Sequence, residues 1–393
     1  MIAALTRITR DVGLAEDLAQ DALVAALESW PREGVPTKPG AWLMTIAKRR
    51  AVDHFRRNET LQRRTAELAH QREEAVVMDL EAQVDYVEDD VLRLMFLCCH
   101  PNLSRESRIA LTLRMVSGLS TAEIARGFLV AEPTMGQRIS RAKKTLVGAE
   151  FDLPDSTERL GRLSDVMAVV YLVFTEGYVA TGGEDWSRPD LCHEALRLAR
   201  MLAVMVPDEP DVQALQALLE LQASRLAARV GPDGAGVLLE DQDRSRWDQL
   251  LLRRGLAALL RAEALAASGR EVGSMFLQAA IAACHARARR AEDTDWVRIA
   301  ALYDVLAQAA PGTIVEVNRA VAHGRAHGPD VGLVVLEALG ADPLPGSPLA
   351  DAVRGDLLER LGRRDEAIAA FERAAQRTDN AAERALLLRR AQI

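Results

Sequence analysis

Aromatic residues are scarce: five Trp, four Tyr and seven Phe among 393 residues, or 4%. Strands of sandwiches and barrels draw on aromatic and β-branched side chains, so this scarcity, beside recurrent Ala, Leu and Arg, points to helices. Cysteine is scarce too. Cys98, Cys99, Cys192 and Cys284 contain no C-x-x-C pair, which removes the zinc knuckle and the redox dithiol. Cys98-Cys99-His100 lacks metal-ligand spacing. Adjacent cysteines closing an apolar helix before Pro101 read instead as small buried hydrophobes, and neither a metal nor a cofactor is expected. No apolar run reaches the roughly eighteen residues of a membrane span. The apolar patch within Met1 to Arg10 is too short for a signal peptide's core. A soluble, cytoplasmic chain with no membrane partner is expected. G-x-S-x-G, Walker, Rossmann and H-E-x-x-H motifs are missing and the seven histidines are scattered, so an enzyme is not expected.

What is present is uneven charge. The net charge is −8, which by itself argues against nucleic acid, but the distribution carries more information than the sum. From Lys38 to Arg64 there are eight Lys/Arg against two acids, and from Thr65 to Asp90 nine acids against one Arg. A basic block followed by an acidic one implies two surfaces with different partners.

The length allows two to four domains, and periodicity places the helices. Leu14 to Trp30 carries an apolar stripe of Leu14, Leu18, Ala22, Leu23, Ala26, Leu27 and Trp30, with Asp17, Gln20, Asp21 and Glu28 off it. Pro31 to Gly40, with three prolines and two glycines, reads as a loop. Ala41 to Arg57 resumes as a helix with Trp42, Ile46 and Phe55 toward a core and Lys48, Arg49, Arg50, Arg56 and Arg57 in its second half. After the acidic stretch, Val91 to Cys99 is a helix and Pro101 breaks the chain. Ser104 caps the next helix, which closes near Gly118. Ser120 or Thr121 caps a short helix. After a turn at Phe128 to Val130, Pro133 suits the first turn of a longer one. There Met135, Ile139, Ala142 and Leu146 face inward at 4-3-4 spacing, and Thr134, Gln137, Arg138, Arg141 and Lys144 lie opposite. Short helix, tight turn and second helix with a basic outer face describe a helix-turn-helix. Farther on, Gly355, Gly362, Ala367, Phe371 and Ala374 match the small and large positions of a tetratricopeptide repeat. Tyr303 and Pro311 fit the second half of a weaker copy. The overall expectation is all-α.

AEDLAQDALVAALESW, then AWLMTIAKRRAVDHFRR, then LSTAEIARGFLVAEPTMGQRISRAKKTL resemble, in order and spacing, the two core domains of extracytoplasmic-function sigma factors. YLVFTEGY at 171–178, LLEDQDRSRWD at 238–248 and RAEDTDW at 290–296 resemble the subgroup with a C-terminal tetratricopeptide extension. The resemblance covers essentially the whole chain, and its ordered set of motifs is more specific than any one of them. It implies two small helical sigma domains, the second with the helix-turn-helix, followed by a tetratricopeptide-like helical extension. The domains would be a region-2-like domain at 1–58, an acidic linker at 59–88, a region-4-like domain at 89–149, a helical extension at 150–270 and repeats at 271–393.

The resemblance also implies partners: core RNA polymerase and the minus-ten and minus-thirty-five elements of promoter DNA. Asp17, Gln20 and Asp21 would dock on the polymerase clamp helices, a basic coiled coil that an acidic face complements. The segment 31–57 would melt the promoter and capture an unstacked base, which costs a few kcal/mol and needs a pocket and phosphate contacts. Lys38, Lys48, Arg50, Arg56 and Arg57 are the candidates on the DNA, while Trp42 reads as core. In the major groove, Arg138 and Arg141 suit guanine edges or phosphates, and Thr134 and Gln137 suit phosphates or base edges. Lys143 and Lys144 would add non-specific phosphate attraction. The sequence departs from the family at Arg49, where Asn is frequent, and at Leu129, where the turn usually holds Gly.

Two rivals remain at this level. A helix-turn-helix regulator with a ligand-sensing repeat domain would explain 104–393 but not the acidic helix or the basic segment 38–64. An enzyme would need a site in a polar run such as Asp241 to Asp248, which reads more simply as an ion-pair network. The acidic linker is either disordered or, by resemblance, threaded through the polymerase's RNA exit path. The extension is either a stabilising appendage or a regulatory domain whose concave surface takes a protein or ligand partner. As a regulatory domain it would pack against the DNA-binding domains, in place of a separate anti-sigma protein.

Overall fold

A computed structural model describes residues 1–65, 87–127, 130–149, 156–179, 187, 189–231 and 236–392. Among the described residues every regular element is a helix, apart from one isolated bridge between Val230 and Gly236. The fold is all-α, as the composition and periodicity indicate. The chain forms two compact units, Met1–Val169 and Val170–Ile393.

The first unit opens with α1 (Ile2–Thr9), α2 (Val12–Glu33) and α3 (Pro39–Thr65). Arg10, at φ 51°, ends α1 in the left-handed region, and Asp11 starts α2 by accepting from the Gly13 and Leu14 amides at 2.8 and 3.1 Å. Such a cap stabilises a helix by about 1 kcal/mol. Leu5, Ala15, Leu18, Ala19, Ala22, Ala47 and Ala51 form the core of this bundle, with Leu14, Ile46 and Phe55 packed on its margin. Helix α1 had no counterpart in the periodicity. Its eight residues are too few to show a repeat, and it is held by Leu5, which is fully buried.

Two expectations about α2 need correction. The loop expected from Pro31 begins later: α2 continues through Pro31 to Glu33, and Gly34, at φ +83°, ends it. In the last turn a proline forfeits only one hydrogen bond. The apolar stripe is also split. Leu18, Ala22 and Ala26 are buried, but Leu23 and Leu27 are 48% and 76% exposed, with Val24 beside them at 50%. Periodicity marks an apolar stripe without saying which part of it a neighbour covers.

Then follow α4 (Val87–Cys98), α5 (Arg105–Met115), α6 (Thr121–Gly127), α7 (Glu132–Thr145) and α8 (Ser156–Tyr178), the last running from the first unit into the second. The acidic stretch 66–86 and Leu129 lie outside the described residues. Ser104 caps α5, its hydroxyl accepting from the Ser107 amide at 3.3 Å. Cys98 and Cys99 are fully buried, as read from the sequence. Burial pushes the Cys99 thiol up to about 12 and the Cys98 thiol well above its ordinary value.

The second unit is a run of helices packed on their neighbours in the chain: α9 (Pro189–Met205), α10 (Pro210–Ala223), α11 (Gln249–Ala267), α12 (Ser274–Arg287), α13 (Trp296–Ala309), α14 (Thr313–His327), α15 (Pro329–Glu337), α16 (Leu349–Arg360), α17 (Arg364–Gln376) and α18 (Ala381–Arg390). Close packing comes where glycine removes a side chain. A Cβ on Gly355 in α16 would stand 2.6 Å from the Phe371 ring in α17, and one on Gly332 in α15 would stand 2.6 Å from the Ala320 carbonyl in α14. Gly362, at φ +73°, makes the turn between α16 and α17. The small and large positions read from the sequence therefore do the work of a tetratricopeptide hairpin, and Gly332 adds a close approach that the sequence reading did not pick out.

Candidate nucleic-acid interface

Helices α6 and α7 form the helix-turn-helix. Ser120 and Glu123 cap α6 reciprocally: the serine hydroxyl accepts from the Glu123 amide at 3.2 Å, and the Glu123 carboxylate accepts from the Ser120 amide at 2.8 Å. This capping box settles the choice between Ser120 and Thr121. Pro133 stands in the first turn of α7, where its missing N–H costs nothing. Met135, Ile139, Ala142 and Leu146 are all buried. Opposite them Thr134, Gln137, Arg141 and Lys144 are exposed and Arg138 is half-buried. The candidate readers thus share the outer face of one helix, with their backs held by a fixed core.

Lys143 departs from this pattern. It lies on α7 beside Lys144, but its ammonium pairs with Glu16 of α2. Glu16 is only 4% exposed, and its other oxygen receives the Arg114 guanidinium of α5 at 2.9 Å. Arg114 also donates to the Leu119 carbonyl at 3.2 Å, and Gln20 donates to Glu16 at 3.2 Å. One buried carboxylate therefore fastens α2 to both α5 and α7. Arg7 of α1 adds a contact with Asp90 of α4 at 3.5 Å. Lys143 is engaged inside the first unit rather than offered to phosphate, which leaves Lys144 as the outward lysine of the pair.

On the basic segment, Lys38 is exposed at the start of α3, where its carbonyl accepts from the Trp42 amide at 3.1 Å. Arg49 and Arg56 are exposed and Lys48 is half-buried along the same helix, while the Arg57 side chain lies outside the described residues. Arg50 pairs with Asp21 of α2 at 2.9 Å. Both are substantially exposed, so the pair is weak and exchangeable. Trp42 is half-buried, its ring 5.5 Å from that of Trp30. That contact joins the end of α2 to the start of α3, in keeping with a structural role.

Asp17, Gln20 and Asp21 are exposed on one side of α2, and Val24 and Leu27 continue that side by helical spacing. The sequence reading found the acidic half of this surface. It missed the apolar half because it placed Leu23 and Leu27 in one stripe with Leu18, Ala22 and Ala26, which are buried. Among the described residues no three or more His, Cys, Asp or Glu are placed to hold a metal ion, and no helix is long and apolar enough to cross a membrane.

A capped helix-turn-helix with a basic outer face, fastened to a second helical module with its own basic helix, defines a bipartite DNA-binding protein. Comparison with known families gives the class. Residues 1–60 match sigma-70 region 2, residues 93–146 match sigma-70 region 4, and residues 162–263 match a family of unknown function, DUF6596. An uncharacterised protein of Rhizobium meliloti (strain 1021) is 42% identical over 394 residues, covering 98% of this chain and 91% of that one. The sigma factor SigK of Mycobacterium sp. (strain KMS), an extracytoplasmic-function type, is 30% identical over 129 residues, 31% of this chain and 62% of that one. The corresponding SigC of Mycobacterium tuberculosis is 28% identical over 137 residues, 35% and 70% of the two chains. A tetratricopeptide repeat protein from Parabacteroides merdae aligns over 72% of this chain and 93% of its own at 12% identity, with a TM-score of 0.36. The chain belongs to one family with the Rhizobium protein, which it matches along nearly its full length, and it carries sigma-70 region 2 and region 4 domains homologous to those of extracytoplasmic-function sigma factors. The region 2 match accounts for the segment that a plain helix-turn-helix regulator leaves unexplained.

Proposed function

We propose that the chain joins core RNA polymerase through the α2 face bearing Asp17, Gln20 and Asp21, and that its two sigma domains, 1–58 and 89–149, read the two promoter elements. The observation that carries this reading is the exposed α2 surface, where acids adjoin Val24 and Leu27, the latter 76% exposed. A patch that joins apolar side chains to one sign of charge is a mark of a protein interface. Lys38, Lys48, Arg50, Arg56 and Arg57 would hold the strand at the minus-ten element. Thr134, Gln137, Arg138, Arg141 and Lys144 would face the major groove of the minus-thirty-five element. Arg50 would leave Asp21 for DNA, an exchange made cheap by the exposure of their pair. The chain then acts by binding alone, without catalysing a reaction, in the cytoplasm where the polymerase works. The extension beyond 149 acts as a regulatory domain.

The test is holoenzyme assembly with Asp17→Lys and Asp21→Lys together. Weakened assembly with an unchanged melting temperature is expected, and unchanged assembly refutes the docking face.

A further inference from the structure

The second unit contains a cluster of arginines that neither the sigma domains nor the repeat packing accounts for. Arg225 follows α10 and Arg229 closes the short turn after it, while Arg244 opens the turn at 244–246. Two aromatic rings link them. The Arg229 guanidinium lies 3.5 Å from the centre of the Tyr178 ring and that of Arg225 lies 5.9 Å from it. Arg225 is also 5.9 Å from the Trp247 ring, with Arg244 at 4.8 Å. The turns that carry them are pinned by the backbone: Val237 donates to the Arg229 carbonyl at 2.8 Å, and Asp248 to the Ser224 carbonyl at 2.8 Å.

Among the described residues these cations lack a paired counter-charge. Many other arginines of this unit meet a carboxylate, as Arg325 and Arg360 meet Glu240 at 2.6 and 3.1 Å. Among the described residues none of Arg225, Arg229 and Arg244 forms an ion pair. Arg229 is 7% exposed and its Nε has no partner, and the Arg244 Nε is likewise buried without one. The Arg244 Nη1 donates to the His285 and Ala288 carbonyls at 2.8 and 2.6 Å, and its Nη2 to the Thr294 hydroxyl at 3.4 Å. Arg225 donates to the Gln222 side chain. The rings add cation–π attraction of about 0.5–2 kcal/mol each but neutralise no charge. Burying a charge without a partner costs several kcal/mol.

The neighbouring ionisable groups do not help. Burial, then the fields of Arg225 and Arg244, hold the His285 imidazole neutral by lowering it to about 3. The Cys192 thiol near Arg229 is pushed up to about 12 by burial. Asp293 acts on Arg244 from beyond pairing distance.

We propose that Arg225, Arg229 and Arg244 form a binding site for a multiply charged phosphate group. Three cations call for more charge than a single carboxylate supplies, and planar guanidiniums match phosphate oxygens in paired hydrogen bonds. The phosphate group comes either from a free inorganic phosphate or pyrophosphate, or from the phosphate chain of a nucleotide. In this arrangement the extension senses a small anion through a site formed by the turns beside α10.

Calorimetric titration of the full chain with pyrophosphate, inorganic phosphate and a nucleoside triphosphate, at fixed ionic strength, tests the site. Saturable binding of at least one of them is expected. Arg225→Gln and Arg229→Gln should each weaken it about tenfold or more, since each removes charge-assisted hydrogen bonds. Arg290→Gln, at an exposed pair with Glu292, should leave it unchanged. If Arg229→Gln does not fold, the half-buried Arg225 carries the comparison. Without ligand, Arg225→Gln should melt no lower than the parent, because it relieves an uncompensated charge. Bound anion should also raise the pH at which the His285 ring protonates, read by NMR. A triphosphate binding tenfold more tightly than pyrophosphate identifies a nucleotide as the source, and equal binding identifies the free anion. Absence of saturable binding, or binding that both variants retain, overturns the proposal.

Discussion

Glu16→Gln is the most informative single change in the first unit. It keeps the size of the side chain and removes the charge that Arg114 and Lys143 share. Breaking a fully desolvated ion pair from one side costs roughly 3–5 kcal/mol. Here the two cations keep 25% and 23% side-chain exposure, so water takes up part of the loss and about 2 kcal/mol is expected. Arg114 retains its bond to the Leu119 carbonyl, which limits the damage on that side. In a unit spanning Met1–Val169, each kcal/mol moves the melting temperature by about 2–4 °C, giving a drop of about 4–8 °C. Thermal unfolding of the full chain measures the drop, and hydrogen exchange locates it. Amides of α2, α5 and α7 should lose protection together, because one carboxylate joins those helices. Asp17→Asn, on the exposed side of α2, is the control and should stay within about 0.5 kcal/mol of the parent. A Glu16→Gln protein that melts with the parent, or loses protection in α2 alone, refutes the reasoning.

Gly355→Ala should cost about 1–3 kcal/mol in the second unit, because its Cβ would press on a fully buried Phe371 ring at 2.6 Å; an unchanged melting temperature argues against that packing. Arg138→Ala or Arg141→Ala should lose about 1–3 kcal/mol of promoter binding and relax specificity at one position. Lys144→Ala should instead weaken all sequences evenly and flatten the salt dependence, and identical behaviour of the three variants would undo that division. Acid should weaken the second unit by two routes. The lowered His285 lets the unfolded chain take up a proton first, so its contribution is complete above the ordinary histidine value of 6.5 and falls as pH drops toward 3. Glu240, held below its ordinary range by its bond to Arg325, contributes above 4.5 and loses that contribution at lower pH. Urea midpoints at pH 7 and pH 5, with His285→Gln flattening the slope between them, check the histidine part.

Local signals carried most of what the sequence alone revealed. The helix-turn-helix was legible because Met135, Ile139, Ala142 and Leu146 repeat at helical spacing and Pro133 marks the start of their helix. The last hairpin was legible because Gly355 and Phe371 are the small and large halves of one contact. The polar run Asp241 to Asp248, read as an ion-pair network, is a different thing in the structure: Asp243 and Asp248 cap the helices that follow them, Arg244 and Arg246 donate to backbone carbonyls, and the ion pairs belong to the neighbouring Glu240, which meets Arg325 and Arg360.

What stayed hidden depends on distant partners. Leu27 looks like core from its period, and only the tertiary arrangement leaves it bare. Glu16 was one more acid on a helix until Arg114 and Lys143, each about a hundred or more residues away, came to it. Nothing in the spacing of Arg225, Arg229 and Arg244 gathers them around Tyr178 and Trp247, since the turns that do so are set by backbone bonds such as Asp248 to Ser224.

Run-off transcription with purified core RNA polymerase and the full chain tests the sigma-factor assignment most directly. Added to core enzyme and a library of promoter fragments from its own genome, the chain should start transcripts at defined positions on a subset sharing minus-ten and minus-thirty-five sequences. The Asp17→Lys, Asp21→Lys protein should give no such transcripts. Core enzyme that starts no specific transcript with the parent chain on any fragment, although the chain is folded, would contradict the assignment.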